Sequence, residues 1–259
     1  DLRMHSTLTP RLLRRSALLL GGMLVAYLLY AALITFHRIG VADALVEIAT
    51  PYEQVVANPS HRILILGDST AVGVGTAQQH SVAARLGAKL HQANITIRAV
   101  SGWQVADLGQ AFRPGEDERY DLILIHIGAN DVLQSTPLDA VRRDLHTVLL
   151  RATQAGEIVV HISSGDIGDA PIFLPPANLI LSQRTRNYRQ VFLEVNQSVG
   201  THYVDIYELE QGNVDGYDPG MIFAADGLHP GKASYHFWFD SIVATMEQAG
   251  FDFAPSQAE

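Results

Sequence analysis

Five short, almost uninterrupted apolar runs, each separated from the next by a stretch of helical pattern, constrain this chain more than any other feature. The runs lie at residues 62–66, 95–100, 122–127, 158–162 and 202–206. Helical patterning occupies 78–91, a shorter stretch at 104–112, then 138–154, 178–199 and, after the last run, 233–248. A strand covered on one face alternates apolar and polar side chains. A strand covered on both faces reads as continuously apolar, which requires helices on each side of a parallel sheet. The pattern predicts an α/β fold: a three-layer α/β/α sandwich with a five-stranded parallel sheet, flavodoxin-like in arrangement, over residues 61–249. A chain of 259 residues, 47% of them hydrophobic, can bury one such core and carry an appendage.

The appendage is at the N-terminus. From Ala17 to Phe36 there are twenty residues without a charge, and a helix of that length spans about 30 Å, the hydrocarbon thickness of a bilayer. Residues 16–37 are therefore expected to form a single transmembrane signal-anchor helix. Arg11, Arg14 and Arg15 precede it and only Arg38 follows closely. That asymmetry puts a basic segment, 1–15, in the cytoplasm and the catalytic domain outside it, at the inner membrane. Residues 38–60 read as a juxtamembrane connector, amphipathic at 41–48 and broken at Pro51 and Pro59, and 250–259 as a loose tail. A cleaved signal peptide, with Ala42-Asp43-Ala44 as its small-x-small site, would instead yield a secreted domain. The apolar run is longer than an ordinary signal core, however, and that site lies several residues beyond its end.

Charge and cysteine usage exclude several classes. Lys and Arg total 18 against 27 Asp and Glu. Residues 1–36 hold four of the bases and one acid, leaving the remainder with a net charge of −12. A domain that acidic is not built to grip phosphate backbones, so no nucleic-acid partner is expected. With no cysteine, thiol catalysis, Cys-ligated zinc and disulfides are out of reach.

In open parallel sheets, ligands collect beyond the carboxyl ends of the strands. Four short motifs fall there or just before a helix. The first run leads into Gly67-Asp68-Ser69-Thr70, where a tight turn would present the Ser69 hydroxyl to the cleft. After the second comes Ser101-Gly102-Trp103, and after the third Gly128-Ala129-Asn130-Asp131, whose Asn130 amide suits a developing oxyanion. Far downstream stands Asp226-Gly227-Leu228-His229-Pro230. A carboxylate three residues before a histidine can hold its Nδ1–H and leave Nε2 to take a proton from a serine. Each motif alone is an ordinary turn.

In combination and in this order they resemble the SGNH hydrolase family, the GDSL-type esterases and lipases, over roughly residues 61–247. The family's four marker residues match Ser69, Gly102, Asn130 and His229; Thr70 stands where many members carry leucine. The resemblance implies a carboxylic ester hydrolase with a Ser69–His229–Asp226 triad and an oxyanion hole made by the Ser69 and Gly102 backbone N–H groups and the Asn130 amide. It implies an acyl-enzyme intermediate, no cofactor and no metal. Asp68 is expected to shape the turn by accepting loop N–H bonds, and Asp131 to cap the next helix or orient Asn130. The substrate would be a small-molecule or envelope ester. An acyltransferase to envelope glycans would use the same groups, and a non-catalytic glycan- or acyl-binding protein would have had no reason to keep them all.

Among the other histidines, His126 and His161 sit on apolar strands and read as core residues, while His202 and His236 lack convergent partners. The segment 165–181, with its apolar Pro171–Pro176 stretch, is expected to pack on the domain rather than line an acyl pocket or touch a bilayer. Asp215 and Asp218, within 212–220, read as a solvated turn rather than a calcium site.

Overall fold

A computed structural model describes residues 10–112, 119–212 and 219–253. Helix α1 (Pro10–Ile48) leads into β1 (His61–Gly67), α2 (Ser69–Val72), α3 (Val82–Lys89), β2 (Ala93–Ala99), β3 (Tyr120–His126), α4 (Ala129–Gln134) and α5 (Leu138–Ala155). There follow β4 (Gly156–Ile162), α6 (Ala177–Val199), β5 (His202–Val204), α7 (Ile206–Gly212) and α8 (Lys232–Gln248). The five strands form one sheet in the order β2-β1-β3-β4-β5, every pair parallel. The expected sandwich is present.

Both faces of the sheet are covered, which is why its strands carry so few polar residues. Leu64, Leu66, Ile123 and Ile125 point to one side and join Leu145, Leu149, Tyr188 and Phe192 from α5 and α6. Ile63, Ile65, Leu122 and Leu124 point to the other and meet Leu86 of α3 with Tyr235, Trp238 and Ile242 of α8. The one-residue alternation along a strand distributes consecutive apolar side chains to opposite layers.

Several elements depart from their expected limits. The 78–91 helix divides into a 3-10 turn at Gln78–His80 and α3, because Ser81 caps the latter through a bond from Ala84 N–H to its Oγ at 3.2 Å. The short 104–112 helix is a 3-10 helix, Val105–Ala111. Strand β5 stops at Val204, and Ile206 instead opens α7.

The largest difference is at the N-terminus. Helix α1 does not end near residue 37 but continues through 38–48, most of the first half of the expected connector. Nothing in that stretch breaks a helix before Pro51, and its 39 residues span about 58 Å, roughly twice a bilayer's hydrocarbon thickness. By length and composition α1 is able to cross a membrane, and its most apolar window has no fully buried residue. Its second half is not free, however. Residues 31, 34, 35, 38, 41, 42, 45 and 46 are partly or fully buried, the three-and-four spacing of a helix face laid against a surface. Residues 1–9 of the expected basic segment, the Asp215/Asp218 turn and the end of the tail lie outside the described residues.

Candidate active site

The sheet order reverses direction between β1 and β3, the position where such folds open a crevice. Ser69 follows β1 and Asn130 follows β3, so the two flank that crevice. Asp68 caps the single turn of α2, accepting from Thr70 N–H at 2.9 Å, and this sets Ser69 at the first position of the turn. The Thr70 hydroxyl also donates to Asp68 Oδ1 at 2.8 Å. A leucine there would lack that bond, so the departure from Gly-Asp-Ser-Leu ties the turn more firmly. Asp68 is buried, with its carboxyl pushed up to about 6 by loss of solvent, against the opposing pull of the Thr70 bonds and the nearby His229.

His229 reaches the same point from the loop before α8. Its Nε2 lies 3.1 Å from Ser69 Oγ and its Nδ1 lies 2.5 Å from Asp226 Oδ2. Asp226 is completely buried. Its other oxygen accepts the backbone N–H groups of Leu228 at 2.9 Å and His229 at 3.1 Å. Burial opposes ionisation of this carboxyl, but the His229 side chain and those two N–H groups outweigh it and hold the group below the ordinary carboxylate value. An ionised Asp226 keeps the proton of His229 on Nδ1 and leaves Nε2 as an acceptor facing the Ser69 hydroxyl. The carboxylate reaches its neighbours because Gly227 turns the chain with φ +68, a conformation that side chains with a Cβ disfavour.

Asn130 lines the cleft with Ser69 and His229. One amide proton goes to Trp103 O at 2.9 Å, and the other is only weakly engaged, by Asp68 Oδ2 at 3.4 Å. Asp131 does not bond Asn130. It is buried and accepts the N–H of Val105 at 3.0 Å, clamping the 3-10 helix after β2. Its carboxyl is raised to about 6 by burial, which the Val105 and Thr136 bonds partly offset. Gly102 sits in the exposed turn after β2 with φ +89, and a Cβ there would meet nothing within 4 Å. What that position asks of its residue is backbone conformation, not space. It is not among the residues lining the cleft; its link to the site runs through its neighbour Trp103, whose carbonyl holds Asn130.

The cleft has a volume of about 270 Å³, with predominantly apolar walls from Leu133, Ile167, Ile222, Phe223 and Trp238. Two contributors differ from the sequence reading, which expected the 165–181 segment to pack on the domain rather than line a pocket and did not single out Glu210. Residues Gly165–Ala170, the first part of the 165–181 segment, form one wall, whereas Ile172 turns inward and is buried. Glu210, on α7, lies at the same cleft, with the Trp238 indole donating to it at 3.4 Å. Nothing in its local sequence distinguishes it from nearby Asp205 and Glu208; only the fold, which sets Trp238 of α8 against it, brings it in. His126 and His161 are buried core residues. Burial lowers them to about 3 and about 4, so both are neutral near pH 7, and His161 Nδ1 bonds Asn196 at 2.8 Å. His236 pairs with Asp240 on the surface. Among the described residues no group of three or more His, Cys, Asp or Glu is arranged to hold a metal.

Glu210 carries a testable pH dependence. Burial, with smaller contributions from Asp169 and Asp166, raises its carboxyl from 4.5 to about 7. The folded protein therefore binds this proton more tightly than the unfolded chain does. Stability linked to Glu210 is fully present below 4.5 and declines as pH rises towards about 7. Glu210→Gln keeps an acceptor for Trp238 and removes the titration. Its melting temperature relative to the parent is expected to rise between pH 5 and pH 8. Parallel melting profiles across that range would refute the assignment.

A family model described as the GDSL-like lipase/acylhydrolase family matches residues 65–237. Among solved structures, TesA is similar with a TM-score of 0.56 and 21% identity, over 72% of this chain and 98% of its own. The psychrotrophic esterase EstA from Pseudoalteromonas sp. is similar at 0.55 and 18%, over 74% and 100%. The acetylxylan esterase Axe2 from Geobacillus stearothermophilus is similar at 0.53 and 17%, over 77% and 99%. At these identities the likeness is one of fold. No curated protein sequence matches the chain.

Proposed function

Because the chain belongs to the GDSL-like lipase/acylhydrolase family, we propose that it hydrolyses carboxylic O-acyl esters through an acyl-enzyme on Ser69, in a domain that α1 holds outside the cytoplasm. The observation that carries this reading is the continuous bonded line from Asp226 Oδ2 through both nitrogens of His229 to Ser69 Oγ, with steps of 2.5 and 3.1 Å.

Ser69 Oγ attacks the ester carbonyl as its proton passes to His229 Nε2. The imidazolium so formed is stabilised by Asp226, which stays ionised. Negative charge moves onto the carbonyl oxygen, where the backbone N–H of Ser69 and the Asn130 amide act as donors, while the Gly102 turn sets the Trp103 carbonyl against Asn130. The Trp103 carbonyl fixes the orientation of that amide in advance. The tetrahedral intermediate collapses, His229 returns the proton to the departing alcohol, and water repeats the sequence on the acyl-enzyme to give the free acid. Asp68 and Asp131 act one step removed, Asp68 by shaping the nucleophile turn and Asp131 by holding the loop that carries Trp103.

The substrate presents one apolar portion to the cleft walls. The acetylxylan esterase similarity keeps short acetyl esters of glycans within range. The test is a fluorophosphonate probe followed by peptide mapping, together with a series of chromogenic esters of increasing acyl length. The expected adduct is on the peptide holding Ser69, with free acid as product. An adduct elsewhere rejects the mechanism, and acyl transfer to an added glycan in preference to water rejects hydrolysis as the reaction.

A further inference from the structure

Three hydrogen bonds join residues 27–38 of α1 to the apolar Pro171–Pro175 stretch of the 165–181 segment. Tyr27 Oη donates to Pro175 O at 2.8 Å and Thr35 Oγ1 to Ile172 O at 3.1 Å, and Arg38 Nη1 donates to Pro171 O. Ile172 N–H in turn donates to Gly227 O at 2.9 Å. A Cβ on Gly227 would meet Arg38 Nη1 at 3.0 Å. Arg38 thus lies against the turn that joins Asp226 to His229.

These contacts fix the height of the site relative to the uncharged run of α1. Arg38 is two residues beyond Phe36, the end of that run, so the Asp226–His229 turn sits only about 3 Å along the helix from the hydrocarbon boundary. Tyr27 is nine residues inside the run, about 14 Å deeper, and Pro175 accompanies it. A helix placed to bury residues 17–36 therefore carries the loop into the bilayer with it.

The chemistry of the loop suits that position. No charge occurs from Ala170 to Gln183. Pro171, Pro175, Pro176, Ala177, Leu179 and Ile180 are exposed, Leu179 to 66% and Ile180 to 53%. An exposed apolar surface of this kind marks a place of contact, and the helix to which the loop is bonded itself exposes Leu33 and Phe36. The same segment begins at the cleft wall, residues Gly165–Ala170.

We propose that residues 171–180 are embedded in the leaflet on the catalytic side of the membrane, and that the cleft opens at the bilayer interface, where it takes esters carried on membrane lipids. This rests on reading the protein as an anchored ester hydrolase. The chain has no cysteine, so Leu179→Cys provides a unique attachment point for an environment-sensitive fluorophore. The experiment uses the full chain reconstituted in phosphatidylcholine/phosphatidylglycerol vesicles.

The label is expected to be quenched by lipids brominated in the acyl chain and shielded from aqueous iodide. In the same vesicles, Leu179→Asp combined with Ile180→Asp is expected to lower hydrolysis of a vesicle-resident long-chain ester about tenfold or more, leaving a soluble acetate ester within about twofold. A label open to iodide and untouched by the brominated lipid, or a variant that loses neither activity or both alike, overturns the proposal. Failure of the underlying reading has a different signature: release of the parent protein by alkaline extraction for the anchor, and persistent soluble-ester turnover by Ser69→Ala for the hydrolase.

Discussion

Replacing Ser69 by alanine is expected to reduce turnover of a chromogenic acyl ester by roughly 10⁴- to 10⁶-fold, to the residue left by binding and the oxyanion donors. The side chain is a single hydroxyl with 9% exposure, capped in place by the Asp68 turn and facing His229 Nε2. Its removal deletes the attacking atom and leaves the fold without a cavity of consequence. The probe adduct should disappear with the activity. Asn130→Ala provides the contrast: a donor is lost but the nucleophile stays, so kcat should fall about 10²- to 10³-fold while the probe still labels Ser69. Near-parental turnover in Ser69→Ala would end the acyl-enzyme account outright.

Asp226→Asn should cost about 10⁴-fold in kcat with little change in KM. The geometry says why so small a change is so damaging. Oδ1 of Asp226 is committed to the N–H groups of Leu228 and His229, and an asparagine keeps those bonds only by placing its carbonyl there. Its NH₂ then occupies the position of Oδ2, facing His229 Nδ1. A donor at that point forces the imidazole proton onto Nε2, where it faces Ser69 Oγ as a donor and cannot accept. Folding should survive, since the backbone bonds do, and circular dichroism with a melting curve provides the control. A variant retaining kcat within about tenfold of the parent would mean that Asp226 does not set the tautomer.

The sheet was legible for a specific reason. Residues 63–66 and 122–125 are apolar at successive positions because Ile63 and Leu64, or Leu122 and Ile123, are buried in different layers. That leaves no polar face to confuse the pattern. Shorter elements were less legible. Strand β5 lies at the sheet edge and pairs only with β4, so three paired residues suffice and the apolar Ile206 is claimed by a helix. The division at Ser81 turned on the capping bond from Ala84 N–H to its Oγ, a contact that apolar periodicity does not register.

The extent of α1 shows the opposite limit. Composition marks where a helix is able to cross a bilayer, but residues 38–48 are helical partly because their inward stripe has a domain surface to lie on. That surface is assembled from distant segments: Arg38 bonds Pro171 O, and Leu45 and Ile48 border the turn that holds Gly73, Gly75 and Thr76.

By itself the sequence determined the layer architecture, the family and the chemical types gathered beyond the strand ends, since apolar periodicity and turn chemistry are local properties. Only the tertiary structure decided that Ser69 and His229, 160 residues apart, stand within a hydrogen bond of each other. It also decided that Glu210 borders their cleft and that α1 braces the loop beside them. Those facts depend on how five strands order themselves and which helix covers which face, and no window of residues along the chain contains that information.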